Sequence, residues 1–128
     1  MVFAAGLEAK HGMWKRCYSA PNQHGLTPAD FHAACDRKGP TLTLAALRDG
    51  RRAAAYTPVM WTSGGGYVAT FSAMLYSIST GKYAFSTNNQ HGMYDSATYH
   101  VTFGSGHDAY FGMSGTELKM AGRAQAAS

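Results

Sequence analysis

Charge is scarce in this 128-residue sequence, in which Asp, Glu, Lys and Arg together make up 14% of the residues. No run of residues approaches the roughly 20 apolar residues of a membrane span, so we expect no membrane-spanning helix. Residues 1–7 lack a basic start and are too short for a secretory apolar core, so we expect no signal peptide in this sequence.

Cysteine is scarce as well, since Cys17 and Cys35 are the only two. Two thiols cannot build a four-ligand zinc site alone, and the neighbouring His24 and His32 lack the spacing of a regular site. We therefore expect neither a metal ion nor a cofactor. The cysteines form either a buried thiol pair or one disulfide, and the choice depends on a compartment that the sequence does not identify.

Glycine and aromatic residues are abundant, with 15 glycines and 12% aromatics. This composition favours strands and turns, and the length favours one domain with a true core. The net charge of +4 comes from the segment up to Arg52, which holds eight basic and four acidic residues. Those basic residues lack the dense clustering with aromatics that marks nucleic-acid sites, so we expect no nucleic-acid partner.

The sequence predicts both the start and the end of one helix. Thr27 is a capping residue, Pro28 suits the first helical position, and the Asp30 carboxylate suits the exposed amides of the first turn. An apolar stripe then begins at Phe31, and Gly39-Pro40 stops the helix.

The rest of the chain predicts short strands separated by turns. A hairpin is expected around Asp49-Gly50, and one long central strand, apolar on both faces, over residues 67–78. The triple glycine at 64–66 is expected in a loop. We expect residues 1–12 to be a flexible lead-in and residues 114–128 a weakly structured tail. The predicted fold is a mainly-β antiparallel sandwich over residues 13–113 with one or two short flanking helices.

Two patterns are candidate functional sites. The motif Phe103 to Asp108 holds Ser105, His107 and Asp108 among glycines, but neighbouring strand residues point to opposite faces and no nucleophile elbow surrounds the serine. We favour a structural turn over a serine hydrolase. Trp61, Tyr67 and Tyr94 are candidate stacking platforms for a partner or for a sugar or pigment, although strand aromatics more often form core or cross-strand pairs.

Several segments, in the right order over about residues 14–111, resemble the TLDc domain family. They are Cys17 to Ala20, Phe31-His32, Lys38-Gly39-Pro40-Thr41 with the strand that follows, Ala55 to Thr57 before Trp61, Ser72 to Ser77, and Phe103 to Asp108. The resemblance makes Phe31 and residues 38–41 a core signature. It also implies that a structural turn is formed by Phe103, Gly104, Gly106, His107 and Asp108.

The resemblance implies a two-sheet β-sandwich that acts through protein contact. Relatives are associated with oxidation resistance and, in several eukaryotic proteins, with regulation of the vacuolar-type proton pump; the family supplies no catalytic set. We therefore predict a non-catalytic interaction or structural module, as an accessory subunit of a larger assembly with protein partners, rather than an enzyme. The family's later strands are hard to find after Phe111, which predicts an unfinished sheet edge there.

Overall fold

In the computed structural model of the chain, the described residues are 3–10, 13–20, 25, 27–70, 73–85, 91–104, 109–114 and 117–122. Within them lie eleven strands and one helix. In chain order these are β1 Phe3–Lys10, β2 Met13–Ala20, α1 Pro28–Cys35, β3 Thr41–Ala46, β4 Arg52–Thr57, β5 Gly64–Val68, β6 Met74–Ser77, β7 Tyr83–Phe85, β8 Met93–Ser96, β9 Thr102–Phe103, β10 Ala109–Ser114 and β11 Glu117–Gly122.

The strands form two antiparallel sheets, which confirms the predicted mainly-β fold. Sheet A has six strands in the order β2-β1-β3-β4-β6-β7, and sheet B has five in the order β11-β10-β9-β8-β5. The predicted hairpin is present, because β3 pairs with β4 from Thr41↔Thr57 to Ala46↔Arg52. No helix in the described part of the chain is long and apolar enough to cross a membrane.

Helix α1 starts as predicted, with a complete capping box. The Thr27 hydroxyl accepts the Asp30 amide proton at 3.2 Å, and the Asp30 carboxylate accepts the Thr27 amide proton at 3.0 Å. The helix ends at Cys35, before the predicted Gly39-Pro40 stop, because the next residue, Asp36, already has an extended backbone with ψ of 142°.

The core lies between the sheets and is closed on one side by α1. Phe31 and Cys35 of the helix, Met93 and Phe103 of sheet B, and the loop residue Trp61 are all buried. From sheet A, β3 and β4 turn small or polar side chains inward, while Tyr18 of β2 and Leu75 of β6 contribute larger ones.

Hydrogen bonds satisfy those inward polar groups. The indole N–H of Trp61 donates to the Thr41 hydroxyl at 3.0 Å, and the Thr57 hydroxyl reaches the Met93 sulfur of the other sheet at 3.2 Å. Because each buried polar group needs a partner, these bonds allow threonine to occupy core positions.

Both chain ends require a correction. Residues 3–10 are not a lead-in but strand β1, whose Gly6 pairs with Tyr18 of β2 and Thr43 of β3. The tail continues the fold, since β11 pairs with β10 from Ala109↔Gly122 to Ser114↔Glu117. The expected unfinished edge after Phe111 is therefore wrong. Ala, Gly and Lys have low strand propensity, and here pairing with neighbours outweighs that propensity.

The predicted long strand over residues 67–78 is also wrong. Its two ends belong to different sheets, β5 to sheet B and β6 to sheet A. The triple glycine lies in β5 rather than in a loop, with a bulge between Gly64 and Gly66. An apolar run cannot show where a chain crosses from one sheet to the other, because both strands bury one face in the same core.

Cys17 and Cys35 form a disulfide, the second of the two states expected from the sequence, with Cα atoms 5.4 Å apart. The bond ties edge strand β2 to the last residue of α1 across a separation of 18 residues. It therefore restrains the helix that closes the core.

We expect reduction of this disulfide to lower the free energy of unfolding by about 3 kcal/mol, because the unfolded chain regains the entropy of the opened loop. Urea unfolding with and without dithiothreitol measures the loss. The double variant Cys17→Ala/Cys35→Ala is the control and should match the reduced protein while showing no response to dithiothreitol. Equal stability of oxidised and reduced protein would contradict the prediction.

Candidate functional site

A hydrogen-bonded group of polar side chains lies where the end of α1 meets the loop before β5. We call His32, Asp36 and Ser63 the helix-end cluster. Nδ1 of His32 lies 2.6 Å from Oδ1 of Asp36, and its Nε2 lies 2.8 Å from the carbonyl oxygen of Tyr99. The Ser63 hydroxyl donates to Oδ2 of Asp36 at 2.5 Å. His32 is buried, and Asp36 and Ser63 are partly buried.

The order of these groups does not suit a nucleophilic serine. A serine nucleophile gives its proton to an imidazole nitrogen, which a carboxylate orients from the far side. Here the Asp36 carboxylate lies between the hydroxyl and the imidazole. Both His32 nitrogens contact oxygen atoms of the protein, so neither faces a substrate. The cluster ties α1 to the neighbouring loop.

Ser63 of the helix-end cluster and the neighbouring Arg37 have strained backbones. Arg37 and Ser63 both have a φ of 59°, which non-glycine residues rarely adopt. The Arg37 amide donates to the carbonyl oxygen of Trp61 at 2.8 Å. Such conformations cost roughly 1–3 kcal/mol each and persist only where surrounding bonds impose them. The bonds of the helix-end cluster provide that restraint.

The buried carboxylate of Asp95, in β8, holds the same loop. It accepts hydrogen bonds from the Thr62 amide at 2.8 Å, the Thr62 hydroxyl at 3.0 Å and the Ser63 amide at 2.9 Å. Asp95 is 1% exposed, and this carboxylate therefore anchors the loop rather than meeting solvent.

His100 lies inside an aromatic group, stacked on Phe31 with ring centroids 5.0 Å apart. The Val101 amide donates to its Nδ1 at 2.9 Å, so the ring proton is on Nε2, which lies 3.2 Å from the Tyr18 hydroxyl. That hydroxyl donates to the Gly25 carbonyl at 2.8 Å.

Burial sets the protonation of both ends of this chain of hydrogen bonds. It lowers the pKa of His100 to about 4, with a further decrease from the nearby His32. It also raises the pKa of Tyr18 well above its usual range. A neutral imidazole and a protonated phenol are thus the states of neutral pH, and neither exchanges a proton readily there.

The three aromatic candidates separate into two places. Trp61 is 0% exposed and packs edge-on against Phe31 and Phe103, so it cannot be a stacking platform. Tyr67 and Tyr94 are cross-strand partners on the outer face of sheet B, with ring centroids 4.9 Å apart.

That outer row has two further rings that sequence analysis missed. Tyr99 packs 4.7 Å from Tyr94, and His91 packs 4.5 Å from Tyr67. We call His91, Tyr67, Tyr94 and Tyr99 the sheet B aromatic row. His91 and Tyr99 come from turns, where strand alternation cannot place them.

The glycine-rich motif is described only in its first part. Phe103 is buried, and Gly104 has a φ of 86° while its amide donates to the Gly92 carbonyl at 3.1 Å. Ser105, Gly106, His107 and Asp108 lie outside the described residues, so the hydrolase alternative stays a prediction.

The other signature residues lie in helix α1, in the turn after it and at the start of β3. Gly39 has a φ of 89°, Lys38 is exposed and Pro40 is partly buried, while Phe31 and Thr41 are buried. No group of three or more metal-ligating side chains occurs within the described ranges.

The fold and the helix-end cluster define a two-sheet β domain whose short helix is fastened by a disulfide and by buried polar bonds. The TLDc domain family model matches residues 5–121. The chain therefore belongs to the TLDc family, and the match extends beyond both ends of the region that resembled it in sequence. We found no matching curated protein and no matching solved structure.

The buried His100 should make stability depend on pH. Its pKa is 6.5 in the unfolded chain and about 4 in the folded one, so between these values only the unfolded chain binds the proton. Neutral His100 contributes roughly 3 kcal/mol to the free energy of unfolding. This contribution is complete above pH 6.5 and is lost as the pH falls to about 4.

Urea unfolding at several pH values measures this slope. The variant His100→Gln keeps a donor for Tyr18 without a titrating ring and should flatten the slope between pH 4 and 6.5. An unchanged slope in that variant would show that other groups produce the pH dependence.

We expect Asp95→Ala to lower the free energy of unfolding by roughly 2–4 kcal/mol, because it leaves the Thr62 and Ser63 amides without acceptors. The matched control is Asp49→Ala, which removes an exposed carboxylate 2.7 Å from Arg51 and should lower the free energy of unfolding far less. Chemical denaturation compares the two variants, and similar losses would contradict the anchoring role of Asp95.

Proposed function

We propose that this chain is a non-catalytic protein-interaction module, an accessory component of a larger assembly with protein partners. The observation that carries the proposal is the outer face of sheet A. Along β3 the small or polar Thr41, Thr43 and Ala45 face the core and are buried. The larger apolar Leu42 and Leu44 face outward.

The neighbouring strands of sheet A also turn apolar side chains outward. In register, Leu42 lies opposite Tyr56 and Tyr56 opposite Met74; beside them lies a second row through Leu44. We call the following residues the sheet A outer face: Leu42, Leu44, Ala46, Ala54, Tyr56, Met74, Tyr76 and Tyr83. These hydrophobic side chains are not part of the described core. Tyr83 is 63% exposed and the other seven are partly buried, so a partner protein packed on this face would complete their burial.

The bonding of polar side chains in the described region supports the same proposal. The imidazole and carboxylate groups closest to a catalytic arrangement already make bonds that hold α1 and the loop before β5. Membership of the TLDc family adds support, since the resemblance implies action through protein contact. Roles in oxidation resistance or proton-pump regulation are the biological settings that we propose on this basis.

Native mass spectrometry of the chain, isolated gently from its source, tests the proposal. We expect a mass larger than that of the 13.7 kDa monomer, from a stable complex with other proteins. A serine-directed fluorophosphonate probe should leave the chain unlabelled. A partnerless monomer, or labelling of Ser105, would overturn the non-catalytic interaction role.

The sheet B aromatic row supports a second candidate function, the binding of a sugar or pigment. Its rings pack edge-on, and Tyr67 and Tyr99 are 42% and 40% exposed. Sugars and flat pigments commonly pack on such aromatic faces, which combine an apolar surface with polar edges.

Calorimetric titration with a panel of oligosaccharides and carotenoid or tetrapyrrole pigments tests this candidate. Binding should disappear in Tyr67→Ala and persist in Tyr83→Ala, which removes an exposed tyrosine of the other sheet. The candidate fails if no compound binds or if both variants bind equally.

A further inference from the structure

Cys17 occupies an irregular position in an edge strand of sheet A. In the register of β1 with β2, Gly6 lies opposite Tyr18 and Leu7 opposite Arg16, so Cys17 is the extra residue of a β-bulge. Residues two apart in a regular strand share one face, but this bulge places Arg16 and Tyr18 on opposite faces of β2. Bulges at sheet edges commonly redirect a side chain, and here the redirected side chain is the one bonded to α1.

The two cysteines of the disulfide differ in their access to solvent. Cys17 is partly exposed, whereas Cys35 is 0% exposed and belongs to the buried core. A disulfide is broken when a thiolate attacks one sulfur and the other sulfur leaves, so access decides which sulfur is attacked. A thiolate from solvent therefore reaches this bond at Cys17, and Cys35 is the leaving group.

Positive charge lies close to both cysteines along the chain. Four basic residues, all of them exposed, lie within three residues of one cysteine or the other: Lys15, Arg16, Arg37 and Lys38. The acidic neighbours are Asp36, which is bonded within the helix-end cluster, and Glu8, which lies opposite Lys15 in register. Charges this near act within about one Debye length, roughly 8 Å at physiological ionic strength. The excess of positive charge favours the approach of an anionic thiol over a neutral or cationic one.

We propose that Cys17 is a site of thiol–disulfide exchange with a small anionic peptide thiol, and that Cys35 is the leaving and returning thiol. The incoming thiolate forms a bond to Sγ of Cys17. The bond between the two cysteines breaks, and its electron pair stays on Sγ of Cys35, which takes a proton from water. One disulfide and one thiol stand on each side of this reaction, so no oxidant is consumed.

The position of Cys35 makes the modification reversible. Cys35 is the last residue of α1, and the end of that helix is still held by the bonds of His32 to Tyr99 and of Ser63 to Asp36. The released thiol therefore stays near Cys17, where its thiolate attacks Sγ of Cys17 and expels the small thiol. The mixed disulfide should accumulate with excess thiol and revert when that thiol is removed. While it is present, the covalent tie between β2 and α1 is open.

Glutathione is the probe, and the folded, oxidised chain is the protein tested. After incubation with excess reduced glutathione and a quench with N-ethylmaleimide, peptide mapping by mass spectrometry should find glutathione on Cys17 and maleimide on Cys35. Glutathione on Cys35, or equally on both, would overturn the assignment of the attacked sulfur. An adduct that forms in urea but not in native buffer would overturn the proposal, because the disulfide would then be purely structural.

Two single variants compare the cysteines directly, and they are matched because both lack the disulfide. With oxidised glutathione, Cys17 in the variant Cys35→Ser should form a mixed disulfide at least about tenfold faster than Cys35 in the variant Cys17→Ser. The two rates should become similar in urea, where burial is lost. Equal rates in native buffer would overturn the difference in access, and the mapping of the unchanged protein decides the question if either variant fails to fold.

Thiols of different charge test the choice of an anionic ligand. The rate with glutathione, divided by the rate of the same thiol with a small neutral disulfide, should exceed the corresponding ratio for the cationic thiol cysteamine. High salt should reduce this difference. Equal ratios for the two thiols would overturn the preference for an anion.

Charge variants test the same preference from the side of the protein. Lys15→Glu/Lys38→Glu should slow the glutathione reaction by at least about threefold. The control Arg52→Glu/Lys82→Glu makes the same change of charge at exposed residues near β4 and β7, away from β2 in the order of sheet A, and should leave the rate unchanged. Equal slowing by the two double variants would overturn the role of the neighbouring charges.

Discussion

The burial of Trp61 is the contact on which the rest of the structure depends. Its indole packs edge-on against Phe31 of the helix and Phe103 of sheet B, and its N–H donates to Thr41 of sheet A. Its carbonyl oxygen accepts the amide of Arg37, just after α1. One residue from an irregular loop therefore joins both sheets and the helix. The loop keeps this position because the carboxylates of Asp36 and Asp95 hold the residues that follow the tryptophan.

Buried polar groups near α1 hold the helix and the loop before β5 in place. Histidine, aspartate, serine and tyrosine side chains meet near α1, in a combination that could suggest catalysis from composition alone. Their geometry assigns nearly every donor to an acceptor within the protein, and burial keeps His100 neutral and Tyr18 protonated. Since an unsatisfied buried group is costly, such a network favours one docking position for the helix.

The Thr-Leu-Thr-Leu alternation of β3 shows what a sequence pattern predicts and what it does not. The alternation correctly predicts a strand, and the usual expectation would turn its leucines inward. The structure turns the threonines inward instead, because Trp61 and the neighbouring core accept small hydrogen-bonding groups there. The leucines are left on the outer face of sheet A. This inversion, which only the packing reveals, is the basis for proposing a protein-binding role.

Local patterns in the sequence determined the helix start at Thr27, the hairpin at Asp49-Gly50, the mainly-β class and, by resemblance, the TLDc family. These features depend on neighbours within a few residues or on motifs read in order. Only the tertiary structure decided that residues 3–10 and 117–122 are strands, that residues 67–78 divide between two sheets, and that Trp61 is buried. It also decided which face of sheet A is the outer one. These features depend on partners distant in the chain, and neither periodicity nor propensity carries that information.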